Sequence, residues 1–347
     1  VKSKLVWIGG LVMALSIFSW FNQAETPKQK FHNTETQYET HFGVFWEIIK
    51  SYVTTKRAAP VPPSTLPIKP LTFEEIRAVR DNSAVKLGHS SVLMKVNEQV
   101  ILLDPVFSER VSPVQWAGPK RFHQPPIKLA DIEQVDVVVI SHDHYDHLDK
   151  GAIKQLKEKV GQFVVPLRVG DYLREWGVAA EKITELEWWQ KTQVNGVEYI
   201  ATPTQHFSGR GLMDRDLTLW ASWVIRTSDI NVYFSGDSGY FSGFAEIGEK
   251  YGPFDLTFVE TGAYNKLWSE IHMLPEESLQ AHIDLKGKVM MPIHNATFDL
   301  ALHDWDEPLE RVTQLSESNQ VTIATPIFGE FFDLANPQAN NRWWREL

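Results

Sequence analysis

His142, His144, Asp146 and His147 fall in one short string, HDHYDH, and together offer three imidazoles and a carboxylate. Nitrogen and oxygen donors packed this densely suit one or two divalent cations, zinc foremost, far better than a lone histidine on a solvated loop would. Just before them come Val137, Val138, Val139 and Ile140, a continuous β-branched run of the kind that forms a strand buried on both faces. On an extended backbone His142, His144 and Asp146 would point one way and His147 the other, so the chain must turn here for all four to converge. Asp143 falls between two of them and is expected to face away. Asp149 is placed to cap a following helix, for which Ile153, Leu156 and Val160 have helical spacing.

The elements that position this cluster are legible from pattern. VKLG and SVLMKV, the turn Asn97-Glu98 and VILLDP read as strands ending near His89 and Asp104. A histidine beside a turn is usually a hydrogen-bonding residue, so His89 is left outside the metal set. Asn195-Gly196 is a type I′ hairpin signal, and its returning strand leads to His206. Later strands lead to Gly236-Asp237, to Glu260 and to His294, while 275–283 and 308–315 read as helices. Strand after strand ending in a polar residue predicts an α/β fold whose sheet carries a functional edge at its strand ends.

Composition narrows the classes. The 347 residues include no cysteine, which excludes disulfides and thiolate zinc sites. Lys plus Arg number 34 against 44 Asp plus Glu, a formal net charge of −10 that argues against a nucleic-acid surface. The 13 tryptophans suit apolar pockets or a membrane interface, although most are expected in the core.

Lys2 and Lys4 precede an uncharged apolar run from Leu5 to Phe21. As a helix it would span about 25 Å, near the hydrocarbon thickness of about 30 Å. Asn22-Gln23-Ala24 is a poor cleavage site, so residues 1–22 are read as an uncleaved membrane anchor, with a cleaved secretory signal as the alternative. The lysines would stay cytoplasmic, leaving the catalytic part periplasmic or extracellular, or secreted if the signal is removed. Residues 23–70 read as a polar and proline-rich linker, with AAPVPPSTLPIKP extended. Within it, Phe42 to Tyr52 is amphipathic and is expected either to pack on the main domain or to lie at a bilayer surface. Residues 71–347 form the expected catalytic domain.

HDHYDH resembles the signature of the metallo-β-lactamase fold superfamily. The strings LGHSSVLMKV, ILLDPVFS, GPKRF, TPTQHFSGRG, TLWASW, FSGDSGY, ETGAY, MPIHNATF and LALHDWDEPL follow in the order found in the branch containing N-acyl-phosphatidylethanolamine-hydrolysing phospholipase D. The likeness runs from about Leu71 to about Phe332. It implies a four-layer αββα sandwich, two sheets face to face with helices outside, preceded here by the N-terminal hydrophobic helix. It also implies His142, His144 and His206 on one metal, Asp146, His147 and His294 on a second, and Asp237 between them. Two Zn2+ are the expected cofactors; the same donors also suit iron or manganese. Asp104 is implied near the site, where it would orient a ligand histidine through its ring N–H.

The reaction implied is hydrolysis by a hydroxide shared between the two cations, with Asp146 essential and His272, in SEIHMLP, positioning substrate or protonating the leaving alkoxide. Arg210 and Arg215, close after His206, suit a phosphate oxygen, with surface pairing to Asp214 and Asp216 as the alternative; Lys120 and Arg121 carry the same ambiguity. Tyr264 is a pocket candidate, and His303 with Asp306 is read as structural. The expected substrate is a phospholipid, cleaved in the manner of a phospholipase D at a membrane held through the N-terminal segment, with no nucleic-acid partner and with homodimer formation left open. A lactone, β-lactam or other ester hydrolase on the same fold is the alternative, and an anchored metal-binding scaffold without turnover is the alternative of another class.

Overall fold

The computed structural model describes residues 29–38, 42–334 and 341–347. The apolar run read as an anchor lies outside them, and among the described residues no helix is long and apolar enough to cross a membrane. Among the described residues two seven-stranded sheets carry the fold. The first runs β14-β1-β2-β3-β4-β5-β6, from β1 (Ser83–Gly88), β2 (Ser91–Val96), β3 (Gln99–Leu103), β4 (Val135–Val139), β5 (Val160–Pro166), β6 (Ile183–Leu186) and β14 (Phe331–Asp333). The second runs β13-β12-β11-β10-β9-β8-β7, from β7 (Lys191–Val194), β8 (Val197–Thr202), β9 (Ser222–Arg226), β10 (Asn231–Phe234), β11 (Phe254–Glu260), β12 (Gly287–Ile293) and β13 (Thr322–Ile323).

The valine run shows why β4 is central. Val137 and Val139 face inward among Trp223, Phe234 and Phe258 of the other sheet, while Val138 and Ile140 face outward onto Ile153, Leu156 and Phe163. Burial on both faces requires a cover on the outside, which is given by α3 (Lys150–Leu156) and α4 (Val169–Glu175), with α2 (Phe73–Ala78) at the edge. On the far side α5 (Gly243–Tyr251), α6 (Pro275–Asp284) and α7 (Glu307–Asn319) cover the second sheet through Phe244, Leu279 and Val312. The expected αββα sandwich is therefore what forms.

Local signals act as their chemistry dictates. Asn97-Glu98 and Asn195-Gly196 all take positive φ and close the β2–β3 and β7–β8 hairpins. Asp149 caps α3 by accepting from the N–H groups of Gly151 (2.8 Å) and Ala152 (3.2 Å). Val160, expected on that helix, instead opens β5, because α3 ends at Leu156.

The 58–70 stretch is extended but is no free spacer. Arg57 pairs with Asp299, the Ala59 N–H donates to Asp304 (2.8 Å), and Leu66 is buried with Trp305, Phe328 and Trp343. The amphipathic stretch forms α1 (Phe42–Thr54) and packs on the main domain. Ile48 is buried beside Trp268 and Leu300, and the Tyr52 ring stacks on Trp268. Trp46 and Val53 stay 58% and 59% exposed.

Candidate metal centre

The chemistry gathers where strands stop. β3 delivers Asp104, β4 delivers the HDHYDH turn, β8 delivers His206, β10 delivers Asp237, and β12 delivers His294. β3 and β4 are parallel, as are β10, β11 and β12, so these strands present their C-terminal ends to one rim. Gly236 makes the joint between the sheets: its φ of +56° suits glycine, and a Cβ there would stand 2.6 Å from the Cβ of Ser141.

His142 Nε2 lies 2.9 Å and His206 Nε2 3.2 Å from His144 Nδ1, and both Nε2 atoms are 3.8 Å from Asp237 Oδ2. On the other side His294 Nε2 lies 3.2 Å from Asp146 Oδ2 and 3.1 Å from Asp237 Oδ2, and His147 Nε2 lies 3.0 Å from Asp237 Oδ1. The sites implied by the resemblance are thus brought together, with Asp237 between them.

The donors fit a pair of cations. His147 Nε2 and Asp237 Oδ1 face each other at 3.0 Å and are buried, yet neither makes a hydrogen bond of acceptable geometry. Two donors sharing a cation at bond lengths of about 2.1 Å stand about 3.0–3.4 Å apart, which is the spacing seen. Ring tautomers agree. His206 Nδ1 donates to Ile271 O (3.0 Å) and His147 Nδ1 to Asp104 Oδ2 (2.7 Å), leaving each Nε2 free to ligate. Ser141 Oγ–H donates to Asp104 Oδ2 (2.6 Å) and Ser141 Oγ accepts from His142 Nδ1–H (2.9 Å).

Electrostatics point the same way. Burial holds His142 and His206 well below the usual imidazole range and His144 down to about 4, so these rings stay neutral, as ligation requires. Burial also opposes charge on His147 and His294, but the carboxylates outweigh it: Asp237, Asp146 and Asp104 hold His147 well above its ordinary value, and Asp237 with Asp146 pushes His294 up to about 10. A site that draws protons onto two buried rings is one built for positive charge.

His272 lies between the two halves, its ring 5.2 Å from that of His206 and 5.3 Å from that of His294. Its Nδ1 donates to Glu260, which ends β11 and also accepts from the Ser238 N–H (2.6 Å). Glu260 was visible as a strand-end residue, but its pairing with His272 was not. The loop carrying His206 is held from an unexpected quarter. Asn33 donates to His206 O (2.9 Å) and accepts from His206 N (3.1 Å), although nothing in the polar segment around it hints at such a contact.

Other expected contacts fall elsewhere. Arg210 donates to the backbone carbonyls of Asp143 and Leu148 (2.8 Å) and lies 4.0 Å over the Tyr145 ring, bracing the HDHYDH turn. Arg215 donates to Tyr38 O (2.7 Å), packs over Phe207 and approaches Asp216 at 3.4 Å. Both guanidinium groups thus hold contacts within the chain, and for Arg215 these include Asp216, the pairing weighed beside a phosphate oxygen. Lys120 pairs with Glu109 on the surface and Arg121 donates to backbone carbonyls. Tyr264 donates to Glu307 (2.7 Å) and stacks on His303, which in turn accepts from the Ala263 N–H (3.0 Å). Asp143 faces away, as expected, accepting from Gly209 N (2.8 Å) and Thr218 Oγ1 (2.9 Å).

Comparison with known proteins agrees with this geometry. The beta-lactamase superfamily domain matches residues 99–295. A Mycobacterium tuberculosis protein is 42% identical over 310 residues, 87% of this chain and 80% of the relative. N-acyl-phosphatidylethanolamine-hydrolyzing phospholipase D 1 of Caenorhabditis elegans is 32% identical over 290 residues, 79% of this chain and 82% of that enzyme. Among solved structures, the isothiocyanate hydrolase from Delia radicum gut bacteria shares the fold with a TM-score of 0.59 at 20% identity, covering 72% of this chain and 98% of that one. With its strand-end donors and its sandwich architecture, the chain belongs to the β-lactamase superfamily of metal-dependent hydrolases.

Proposed function

We propose that this protein is a dinuclear zinc phosphodiesterase of the phospholipase D type, acting on lipids like N-acyl-phosphatidylethanolamine. The observation that carries the reading is the complete donor set on a chain 32% identical, over most of its length, to an enzyme of that activity. When bound, two divalent cations acidify water at neutral pH and neutralise charge growing on phosphoryl oxygens. His142, His144 and His206 would hold one and Asp146, His147 and His294 the other, with Asp237 shared. His272, kept in one tautomer by Glu260, is positioned to hand a proton from Nε2 to the departing alkoxide. Apolar side chains ring this chemistry: Phe207 against His144 at 4.6 Å, with Tyr145, Trp268, Ile271 and Phe298 in one cluster. Such a wall suits acyl chains and excludes water.

The segment 1–22 would hold the catalytic domain at a bilayer on the periplasmic or extracellular side. Membrane fractionation with protease protection tests that part. The substrate is tested on one zinc-loaded preparation given N-acyl-phosphatidylethanolamine, a lactone and a β-lactam. Release of N-acylethanolamine and phosphatidic acid as the dominant turnover supports the reading; faster hydrolysis of the lactone or β-lactam replaces it.

A further inference from the structure

We propose that His89 is an eighth protein donor of the metal centre, ligating on the side of Asp146, His147 and His294. The inference rests on the dinuclear reading above and adds a residue that the HDHYDH pattern does not contain.

His89 closes β1, on a different part of the first sheet from the HDHYDH turn, and its side chain is buried. Its Nε2 stands 3.1 Å from Asp146 Oδ2, the same oxygen that His294 Nε2 approaches at 3.2 Å and His147 Nε2 at 3.8 Å. One donor atom from each of these four residues lies within 4.8 Å of all the others. The 3.1 and 3.2 Å spacings are the edges expected of donors about 2.1 Å from one shared cation, as for the ligands already assigned. The His89 ring lies 4.0 Å from that of His294 and 5.3 Å from Phe298. Among the described residues its Nδ1 has no hydrogen-bond partner and Nε2 makes the ring's polar contact.

The backbone holds the residue where ligation needs it. His89 has a φ of +50°, uncommon for a side chain with a Cβ. Its N–H donates to Thr297 Oγ1 (2.6 Å) and its carbonyl accepts from the His294 N–H (3.2 Å). This bridge ties the end of β1 to the end of β12, so that His89 and His294 are placed by one pairing across the two sheets. Strained backbone of this kind persists where the surroundings over-determine it, and here they do so on both sides of the ring.

The alternative is a hydrogen bond alone, His89 Nε2–H donating to Asp146. Three preparations separate the two: wild type, His89→Ala and His89→Gln, each titrated with Co2+ after metal removal, with far-UV circular dichroism and melting of the metal-free forms as the folding check. A Gln side chain keeps an N–H donor and lacks an imidazole. Ligation predicts that both variants fill the first site normally and bind the second ion more than about 100-fold more weakly, beyond the 10–100-fold usual for outer-sphere changes. In the dicobalt wild type, it also predicts strongly shifted ring N–H proton resonances from His89, His142, His144, His147, His206 and His294. If either variant binds the second ion within 100-fold of wild type, or if the His89 ring signal is missing from the shifted set, the assignment is overturned. The spectrum of the wild type decides the matter alone should both variants fail to fold. Uptake of only one ion by the wild type would instead reject the dinuclear reading, and this assignment with it.

Discussion

Asp104 Oδ2 accepts a hydrogen bond from His147 Nδ1 at 2.7 Å while its other oxygen accepts from the Ser141 N–H at 2.7 Å, so one carboxylate at the end of β3 clamps both ends of the HDHYDH turn at the end of β4. It aims the His147 ring and, through Ser141 Oγ, steadies His142 as well. Asp104→Asn should therefore weaken the second metal, whose His147 it holds directly, by about 10–100-fold, and the first, reached only through Ser141, by less. Isothermal titration of the metal-free variant with Zn2+ measures this, and equal weakening of both ions would argue against it.

Glu260 sets the tautomer and orientation of His272 without touching the cations' nearest donors by hydrogen bond; His294 Nδ1 stands 3.8 Å away. Glu260→Gln should retain both metals, lower kcat by about 10²-fold or more, and leave KM little changed. His272→Gln should give a similar loss, and the double variant should be no worse than His272→Gln alone. Additive losses would show that the two do not act as a unit.

Gly262 passes so close to His294 that a Cβ at 262 would stand 2.0 Å from the His294 carbonyl oxygen. Gly262→Ala must move one backbone or the other, and overpacking of this kind costs about 1–3 kcal/mol. The melting temperature should fall by several degrees and the second metal should be lost first. A variant that binds two ions at wild-type affinity would contradict this.

His282, bonded to Thr257 Oγ1, and His123, bonded to Gln124 O and Thr297 Oγ1, are held neutral. Burial pushes His282 down to about 4 and His123 down to about 3. Between pH 6.5 and 4 the unfolded chain takes a proton on His282 that the folded chain refuses, so its contribution is fully present above 6.5 and lost as the pH falls toward 4. The loss from this one group is on the order of 3 kcal/mol. Urea midpoints measured on metal-free protein across that window should fall for wild type and fall less steeply for His282→Gln. Parallel slopes would show that His282 carries none of the dependence.

What could be read from the chain alone follows physical range. The HDHYDH turn was legible because local spacing alone brings its ligands together, and the valine run before it because burial on both faces leaves no alternation. His206, Asp237 and His294 stand on other strands, and only the resemblance related them to the turn. Asp104 was legible in the same way, and its bond to His147 is the one expected of it. His89 reads in the sequence as a hydrogen-bonding turn histidine and Glu260 as a strand end, because the groups they meet, Asp146 for one and His272 for the other, lie elsewhere in the chain and no spacing marks them. For Arg210 and Arg215 two readings stayed open, because nearness in sequence to His206 does not decide which carbonyls and rings a guanidinium group meets. Asn33 and the proline-rich stretch looked detached because polar composition says nothing about a few specific contacts that dock an extended segment.

Ligands from separate strand ends should gather two cations. Metal content of purified protein, measured by plasma mass spectrometry beside Asp146→Asn and His206→Ala, tests it most directly. Two equivalents in wild type, selective loss of one in each variant and loss of hydrolysis in both are the predicted result. A wild type that holds at most one ion, or an Asp146→Asn protein that keeps two ions and full activity, would contradict it.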